Sequence, residues 1–170
     1  MSDARSVTIR GNPFPLAGNE VKVGDKAPDV QLIGIDSQPR NLSEFSGKVR
    51  ILSSVPSLDT AVCDTETRRF NQIATELSDD VEVITISVDL PMAQKRWCGA
   101  AGVDRVTLLS DHRETAFGLN YGVLIPAVRL LARCVFVVDQ DDVIRYIQLV
   151  PEIGQEPDYD EVIQAVKELL

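Results

Sequence analysis

Residues 49–88 of the chain read VRILSSVPSLDTAVCDTETRRFNQIATELSDDVEVITISV. The stretch opens with a β-branched apolar run over 49–55, which Pro56 ends because proline has no N–H to give to a strand ladder. From Ala61 onward the apolar residues recur at helical spacing, and the run 81–88, rich in valine and isoleucine, is typical of a strand buried on both faces. Strand, helix and strand in succession predict a β-α-β unit with two parallel strands.

The segments on either side extend this unit into a larger sheet. Apolar periodicity and turn residues predict, in chain order, an N-terminal hairpin over 7–15, a strand over 30–35, a capped turn over 41–45, a helix over 91–100, a strand over 106–109, a helix over 113–119, a hairpin of strands 135–138 and 143–149, and a helix that starts at Asp158. We therefore predict an α/β protein with a thioredoxin-like fold: a central mixed β-sheet flanked by helices, with an N-terminal β-hairpin extension. The length suits a single domain over residues 1–170.

Composition narrows the classes of partner. The formal net charge is −9, from 26 acidic and 17 basic residues, which disfavours binding to a nucleic-acid backbone. No segment is apolar enough to span a bilayer, and the first ten residues lack the apolar core of a secretory signal. We expect a cytoplasmic protein with no nucleic-acid or membrane partner. In a reducing compartment its three cysteines are more often free, buried or catalytic than structural disulfides.

Cys63 lies where a strand has just ended and a helix begins. The first amides of a helix lack partners within the helix and carry partial positive charge, so they favour the thiolate form of a cysteine placed there. Either Thr60 or Asp59 could be the N-cap residue, and the sequence leaves this open. Asp59 and Asp64 oppose a thiolate, so a cation must come from elsewhere in the fold.

Three arginines are candidates for that cation. Arg68 and Arg69 lie one helical turn beyond Cys63, whereas Arg133 is remote in sequence and falls beside the predicted strand 135–138.

The motif Pro56-x-x-x-Thr60-x-x-Cys63 resembles the active-site signature of the peroxiredoxins. The segments 54–71 (SVPSLDTAVCDTETRRFN) and 88–100 (VDLPMAQKRWCGA) are similar to signatures of the thiol peroxidase branch, the atypical two-cysteine peroxiredoxins. The tail QLVPEIGQEPDYDEVIQA and the segment VGDKAPD are also similar, so the resemblance covers nearly the whole chain. Ala61 and Trp97 stand where relatives often have Pro and Phe, but neither position carries a catalytic group.

The resemblance implies a role for each matched residue. Cys63 would be the peroxidatic cysteine, which attacks a peroxide oxygen and becomes a sulfenic acid. Thr60 would hydrogen-bond the thiolate and the peroxide, and Pro56 would shield the sulfur from water. Arg133 would lower the thiol pKa and polarise the peroxide.

Cys98 occupies the place of the resolving cysteine in this family. It would attack the sulfenic acid and form an intramolecular redox disulfide with Cys63, which protects Cys63 from overoxidation. Disulfide partners need Cα atoms within about 7 Å, and both residues lie on predicted helices. We therefore expect local unwinding around Cys63 when the disulfide forms.

The remaining candidate residues point to ordinary structural roles. Cys134 follows Arg133 directly, so its side chain should face the opposite side of the sheet, in the core. His112 is the only histidine, and without a Cys-x-x-Cys pair or a histidine cluster we expect no metal or other cofactor.

Three functions are compatible with these residues. The leading one is an antioxidant peroxidase that reduces hydrogen peroxide and alkyl hydroperoxides and is re-reduced by thioredoxin; the resemblance also implies a homodimer. The second is a general thiol-disulfide oxidoreductase, which the absence of Cys-x-x-Cys disfavours. The third is a redox sensor that passes its disulfide to a partner.

Overall fold

A seven-stranded sheet forms the centre of the computed structural model, which describes residues 5–170. The strands are β1 Ser6–Ile9, β2 Asn12–Pro15, β3 Gln31–Gly34, β4 Pro39–Asn41, β5 Val49–Ser54, β6 Val81–Ser87, β7 Val106–Ser110, β8 Leu124–Ile125, β9 Leu130–Leu131, β10 Cys134–Val138 and β11 Ile144–Leu149. The helices are α1 Ala61–Glu76, α2 Pro91–Ala101, α3 Ala116–Asn120 and α4 Tyr159–Lys167, with a 3-10 turn at Leu42–Phe45.

The sheet is mixed, with the order β11-β10-β5-β6-β7-β3-β4. Strands β5, β6 and β7 run parallel at its centre, and the outer strands pair antiparallel to their neighbours. The predicted β-α-β unit is therefore confirmed as β5-α1-β6. It places the start of α1 at the carboxyl end of a central strand, which is where ligands bind in sheets of this kind.

Alternating side chains build one apolar cluster on each face of the sheet. Ile51 lies in the cluster that also holds the inner residues of α1 and α4, and its neighbour Leu52 lies in the cluster that holds α3. Val135 and Phe136 on β10 divide in the same way. The prediction of a central mixed sheet with helices packed against it is confirmed.

The predicted N-terminal hairpin is also present, as the antiparallel pair β1 and β2. It contacts the segment that follows β11. The backbone N–H of Thr8 donates to the carbonyl of Pro151 at 2.7 Å, and its hydroxyl donates to the Glu152 carboxylate at 3.0 Å. The hairpin therefore lies against residues 151–154, which matter for the site below.

The helix predicted over 113–119 is wrong at its start, because α3 begins only at Ala116. Thr115 has a positive φ of 50°, which a helix cannot contain, and the Asp111 carboxylate accepts hydrogen bonds from two amides in the first turn of α3. The strands β4, β8 and β9 were not predicted either, since each spans only two or three residues. Among residues 5–170, no helix combines the length and the apolarity that crossing a membrane requires.

Candidate active site

Cys63 is the third residue of α1, and Thr60 is the N-cap residue of that helix. Thr60 has an extended backbone, and its hydroxyl accepts a hydrogen bond from the Cys63 amide at 3.4 Å. Asp59, the other candidate for the cap, is excluded from that position. The Cys63 side chain is fully buried, with 0% of its surface exposed. Its sulfur thus lies within the first turn of a helix, shielded from bulk water, where the helix dipole favours an anion.

Arg133 supplies the cation that the sequence required. It directly precedes β10, is 2% exposed, and places Nη2 3.2 Å from the Cys63 sulfur. Nε and Nη2 also donate to the Ile153 carbonyl, at 3.2 and 2.8 Å, which fixes the plane of the guanidinium. The other two candidate arginines have other partners. Arg68 pairs with Asp64, and the guanidinium of Arg69 lies over the ring of Tyr159.

Glu66 is a member of the site that the sequence reasoning missed. Its fully buried carboxylate accepts hydrogen bonds from Arg133 Nη1 and, at 2.9 Å, from the hydroxyl of Ser53 on β5. Burial raises the pKa of Glu66, and the charge and hydrogen bond of Arg133 oppose that rise. The signal was its spacing: Glu66 follows Cys63 by three residues and therefore lies on the same helix face.

The pKa of Arg133 is raised, although burial alone would lower it, because the charges of Glu66 and Cys63 outweigh burial. The guanidinium therefore stays protonated at any pH at which the protein is folded. A fixed positive charge in contact with a buried sulfur stabilises the thiolate, and the same group can stabilise negative charge that develops on a peroxide oxygen.

A cavity of about 570 Å³ opens beside this cluster. Pro56, Thr60 and Arg133 line it, whereas Cys63 does not. Its wall is largely apolar, and the apolar side chains come from β1, α1, β9 and the loops after β8 and β11: Ile9, Val62, Val128, Leu130 and Ile153. Because Cys63 is fully buried, a local movement is needed to open its sulfur to the cavity.

Thr60 contacts the backbone of Cys63, and Pro56 lines the same cavity as Thr60. The Thr60 hydroxyl donates to the Ser57 carbonyl at 3.0 Å and accepts from the Cys63 amide. Its single proton is therefore held by the turn that precedes α1.

Cys98 is not joined to Cys63: both are free thiols. The Cys98 thiol donates to the Val103 carbonyl at 2.8 Å, whereas the Cys63 sulfur accepts from Arg133, so the two sulfurs have different partners. Burial and, secondarily, the charge of Asp104 raise the pKa of Cys98. The two cysteines nevertheless belong to adjoining elements, because Cys98 packs against the apolar cluster that contains Cys63.

Cys134 lies in the apolar cluster on the opposite face of the sheet, 1% exposed. Burial raises the pKa of its thiol, so it stays protonated and unreactive at neutral pH.

Comparison with known proteins identifies relatives across nearly the full length of the chain. The Redoxin family model matches residues 22–163. A thiol peroxidase of Halalkalibacterium halodurans is 53% identical over 165 residues, which are 97% of this chain and 99% of that protein. A thiol peroxidase of Bacillus subtilis is 49% identical over 164 residues, covering 96% and 98% of the two chains.

Solved structures agree with the fold. A peroxiredoxin-like protein from Aquifex aeolicus superposes with a TM-score of 0.92 at 45% identity, covering 98% of both chains. A thiol peroxidase from Chromobacterium violaceum superposes with a TM-score of 0.86 over 96% of this chain and 95% of that one; at 22% identity it supports the fold alone. The predicted thioredoxin-like fold is thereby confirmed, and the chain belongs to the thiol peroxidase branch of the Redoxin family.

Proposed function

We propose that this protein is a thiol peroxidase that reduces hydrogen peroxide and organic hydroperoxides to water and alcohols. The observation that carries the proposal is the contact of 3.2 Å between Arg133 Nη2 and the buried sulfur of Cys63. A thiolate stabilised by a fixed cation at a helix N-terminus is a strong nucleophile. The same cation faces the cavity in which a peroxide would bind.

The first step is attack by the Cys63 thiolate on the terminal peroxide oxygen. A sulfur–oxygen bond forms and the O–O bond breaks; the leaving oxygen takes the electron pair, acquires a proton and departs as water or an alcohol. Arg133 stabilises the negative charge that develops on the two oxygens, and the Thr60 hydroxyl, released from Ser57, donates to the peroxide. Pro56 covers the sulfur on the cavity side.

The second step regenerates the enzyme. The Cys98 thiolate attacks the sulfur of the sulfenic acid, the sulfur–oxygen bond breaks, and hydroxide leaves as water after protonation. The resulting Cys63–Cys98 disulfide is reduced by the dithiol of thioredoxin, which becomes a disulfide in turn. Since each sulfur is held by its own partner in the structure, the first turn of α1 or the end of α2 must open before they meet.

The cavity favours organic hydroperoxides as substrates, because an alkyl group can bury its surface against the apolar wall. Val128, 41% exposed at the cavity, offers a test that leaves the reacting groups intact. Val128→Ser should raise KM for cumene hydroperoxide several-fold and leave kcat/KM for hydrogen peroxide unchanged. Equal changes for both peroxides would contradict this substrate assignment.

Residues 1–170 would act as a single domain in the cytoplasm, as a homodimer and without a metal or other cofactor. Two apolar clusters that share one sheet support the single domain. The other three statements rest on composition and on the family, and sedimentation of the purified protein tests the dimer.

Steady-state turnover with thioredoxin, thioredoxin reductase and NADPH tests the function. Wild type should turn over many times. Cys63→Ser should be inactive, and Cys98→Ser should consume one equivalent of peroxide and then lose thioredoxin-linked turnover. The control is Cys134→Ala, which removes a thiol from the opposite face and should retain nearly normal activity. A single stoichiometric oxidation of the wild type would instead indicate a sensor, and activity of Cys63→Ser would overturn the proposal.

A further inference from the structure

Asp89 lies between the two elements that carry the reactive cysteines. It lies in the connection between β6 and α2, the helix of Cys98, two residues before that helix begins. Its half-buried carboxylate accepts three hydrogen bonds: from the Ser57 hydroxyl at 2.7 Å, from the Leu58 amide at 2.9 Å and from the Ser87 hydroxyl at 2.7 Å. Two of these donors belong to the turn between Pro56 and Thr60.

The loop segment that Asp89 contacts is also hydrogen-bonded to Thr60, the N-cap residue of α1. Both the amide and the hydroxyl of Thr60 donate to the Ser57 carbonyl, at 3.1 and 3.0 Å, and the Thr60 hydroxyl accepts from the Cys63 amide. A continuous series of hydrogen bonds thus joins the Asp89 carboxylate to the Thr60 hydroxyl and to the backbone of Cys63.

Asp89 is itself anchored to the end of the sheet. Its backbone carbonyl accepts from the Ser110 hydroxyl on β7, and Ser87, on β6, accepts a hydrogen bond from the buried Gln94 side chain at 3.1 Å. Asp89 therefore ties the loop that precedes α1 to the end of the sheet. A catalytic group held this way keeps its orientation, which is what a precise reaction geometry requires.

We infer that Asp89 is a positioning residue for the peroxidase reaction: through Ser57 and Leu58 it sets the orientation of the Thr60 hydroxyl relative to the Cys63 sulfur. The inference rests on the proposed function. Asp89→Asn disturbs these contacts, because asparagine keeps one acceptor oxygen and puts an NH₂ group, which cannot accept a hydrogen bond, in place of the other.

The test compares Asp89→Asn with Asp59→Asn, a matched control that removes one negative charge from the same turn at an exposed residue. Both are made in a Cys98→Ser background, so that only the first oxidation of Cys63 is followed. Two rates are measured for each protein: oxidation by hydrogen peroxide, and alkylation by iodoacetamide. Alkylation needs the thiolate but does not use the peroxide-binding orientation of Thr60.

We expect Asp89→Asn to slow oxidation about tenfold or more, with alkylation changed less than about twofold, since misplacement by a fraction of an ångström is costly only where geometry matters. Asp59→Asn should change both rates by a similar factor, because it removes a charge near the thiolate and leaves the contacts of Thr60 in place. In a Thr60→Val background, Asp89→Asn should add little further loss, because the two changes remove the same contribution.

Equal slowing of both rates, or full additivity with Thr60→Val, would show that Asp89 is only a structural brace and would overturn the inference. If Asp89→Asn does not fold, Ser57→Ala removes one of the three contacts and should show a smaller loss of oxidation with the same selectivity. Failure of the proposed function is distinguishable, since the unsubstituted protein would then fail to reduce peroxide at all.

Discussion

The indole N–H of Trp97 donates to the carboxylate of Asp64 over 2.8 Å, so the residue before Cys98 is bonded to the residue after Cys63. The Arg68 guanidinium reinforces this contact: its Nε donates to Asp64 at 2.9 Å, and it lies 5.8 Å from the centre of a Trp97 ring. The chain segments that must rearrange for disulfide formation are thus tied to each other through their neighbours.

Trp97 is the only tryptophan in the chain, and it makes this contact visible in solution. We expect one equivalent of peroxide to shift the emission wavelength of Trp97 and to change its intensity, because the Asp64 contact breaks and the ring becomes exposed to water. The control is Cys98→Ser, in which the sulfenic acid forms but the disulfide does not. Unchanged emission in the wild type, or the same change in Cys98→Ser, would contradict redox-coupled opening around Trp97.

The rate of disulfide formation should depend on pH through Cys98. Burial and the charge of Asp104 raise its pKa, so only a small fraction of the thiol is ionised at neutral pH. The rate of the Trp97 fluorescence change that accompanies disulfide formation should therefore rise about tenfold per pH unit above pH 7. Asp104→Asn should accelerate this change a few-fold at pH 7.5, whereas Asp160→Asn, which removes the same charge from α4, should not. A rate that is independent of pH would show that opening, and not ionisation, limits the step.

Glu66→Gln should destabilise the protein by about 3 kcal/mol, because it leaves the buried Arg133 guanidinium without its carboxylate partner. The measurement is urea denaturation at pH 7. Glu76→Gln is the matched control, since it makes the same substitution at an exposed position of the same helix and should stay within about 0.5 kcal/mol of the wild type. Equal stability of the two variants would mean that the pair contributes nothing to folding.

Asp111 predicts a pH dependence of stability that does not involve the cysteines. Burial raises its pKa to about 6, against three backbone N–H groups that lower it. The folded protein therefore binds this proton more tightly than the unfolded chain, in which an aspartate has a pKa of about 3.9. The contribution is present below about pH 4 and is lost as the pH rises through 6, which amounts to roughly 2–3 kcal/mol.

Because other carboxylates also titrate in this range, the quantity to measure is the difference in unfolding free energy between the wild type and Asp111→Asn. That difference should fall by roughly 2–3 kcal/mol between pH 4 and pH 7, since the asparagine does not titrate. A constant difference would be inconsistent with the raised pKa.

Local sequence patterns were sufficient to predict the central β-α-β unit and the hairpin of β10 and β11. The run at 49–55, the helical spacing after Ala61 and the apolar run at 81–88 predict β5, α1 and β6 because periodicity and burial agree there. The hairpin of β10 and β11 was predicted for the same reason. Position 115 carried no such signal, since threonine rarely adopts a positive φ and only the hydrogen bonds of Asp111 with α3 explain it.

The site divides in a similar way. Cys63, Thr60 and Pro56 follow from one short motif, whereas the contact of Arg133 with the Cys63 sulfur depends on the pairing of β10 with β5, which no local pattern specifies. Glu66 was missed because an acidic residue on an amphipathic helix is usually solvated, and its burial makes sense only once Arg133 is in place.

The hairpin of β1 and β2 can change the shape of the cavity without changing the residues that contact the Cys63 sulfur. Ile9 and Arg10 form part of the cavity wall, although they precede Cys63 by more than 50 residues in chain order. Substitutions in this arm can reshape the entrance and so alter which oxidants are admitted, while the sulfur and its guanidinium partner remain as they are. Selectivity and reactivity can therefore diverge independently among homologues.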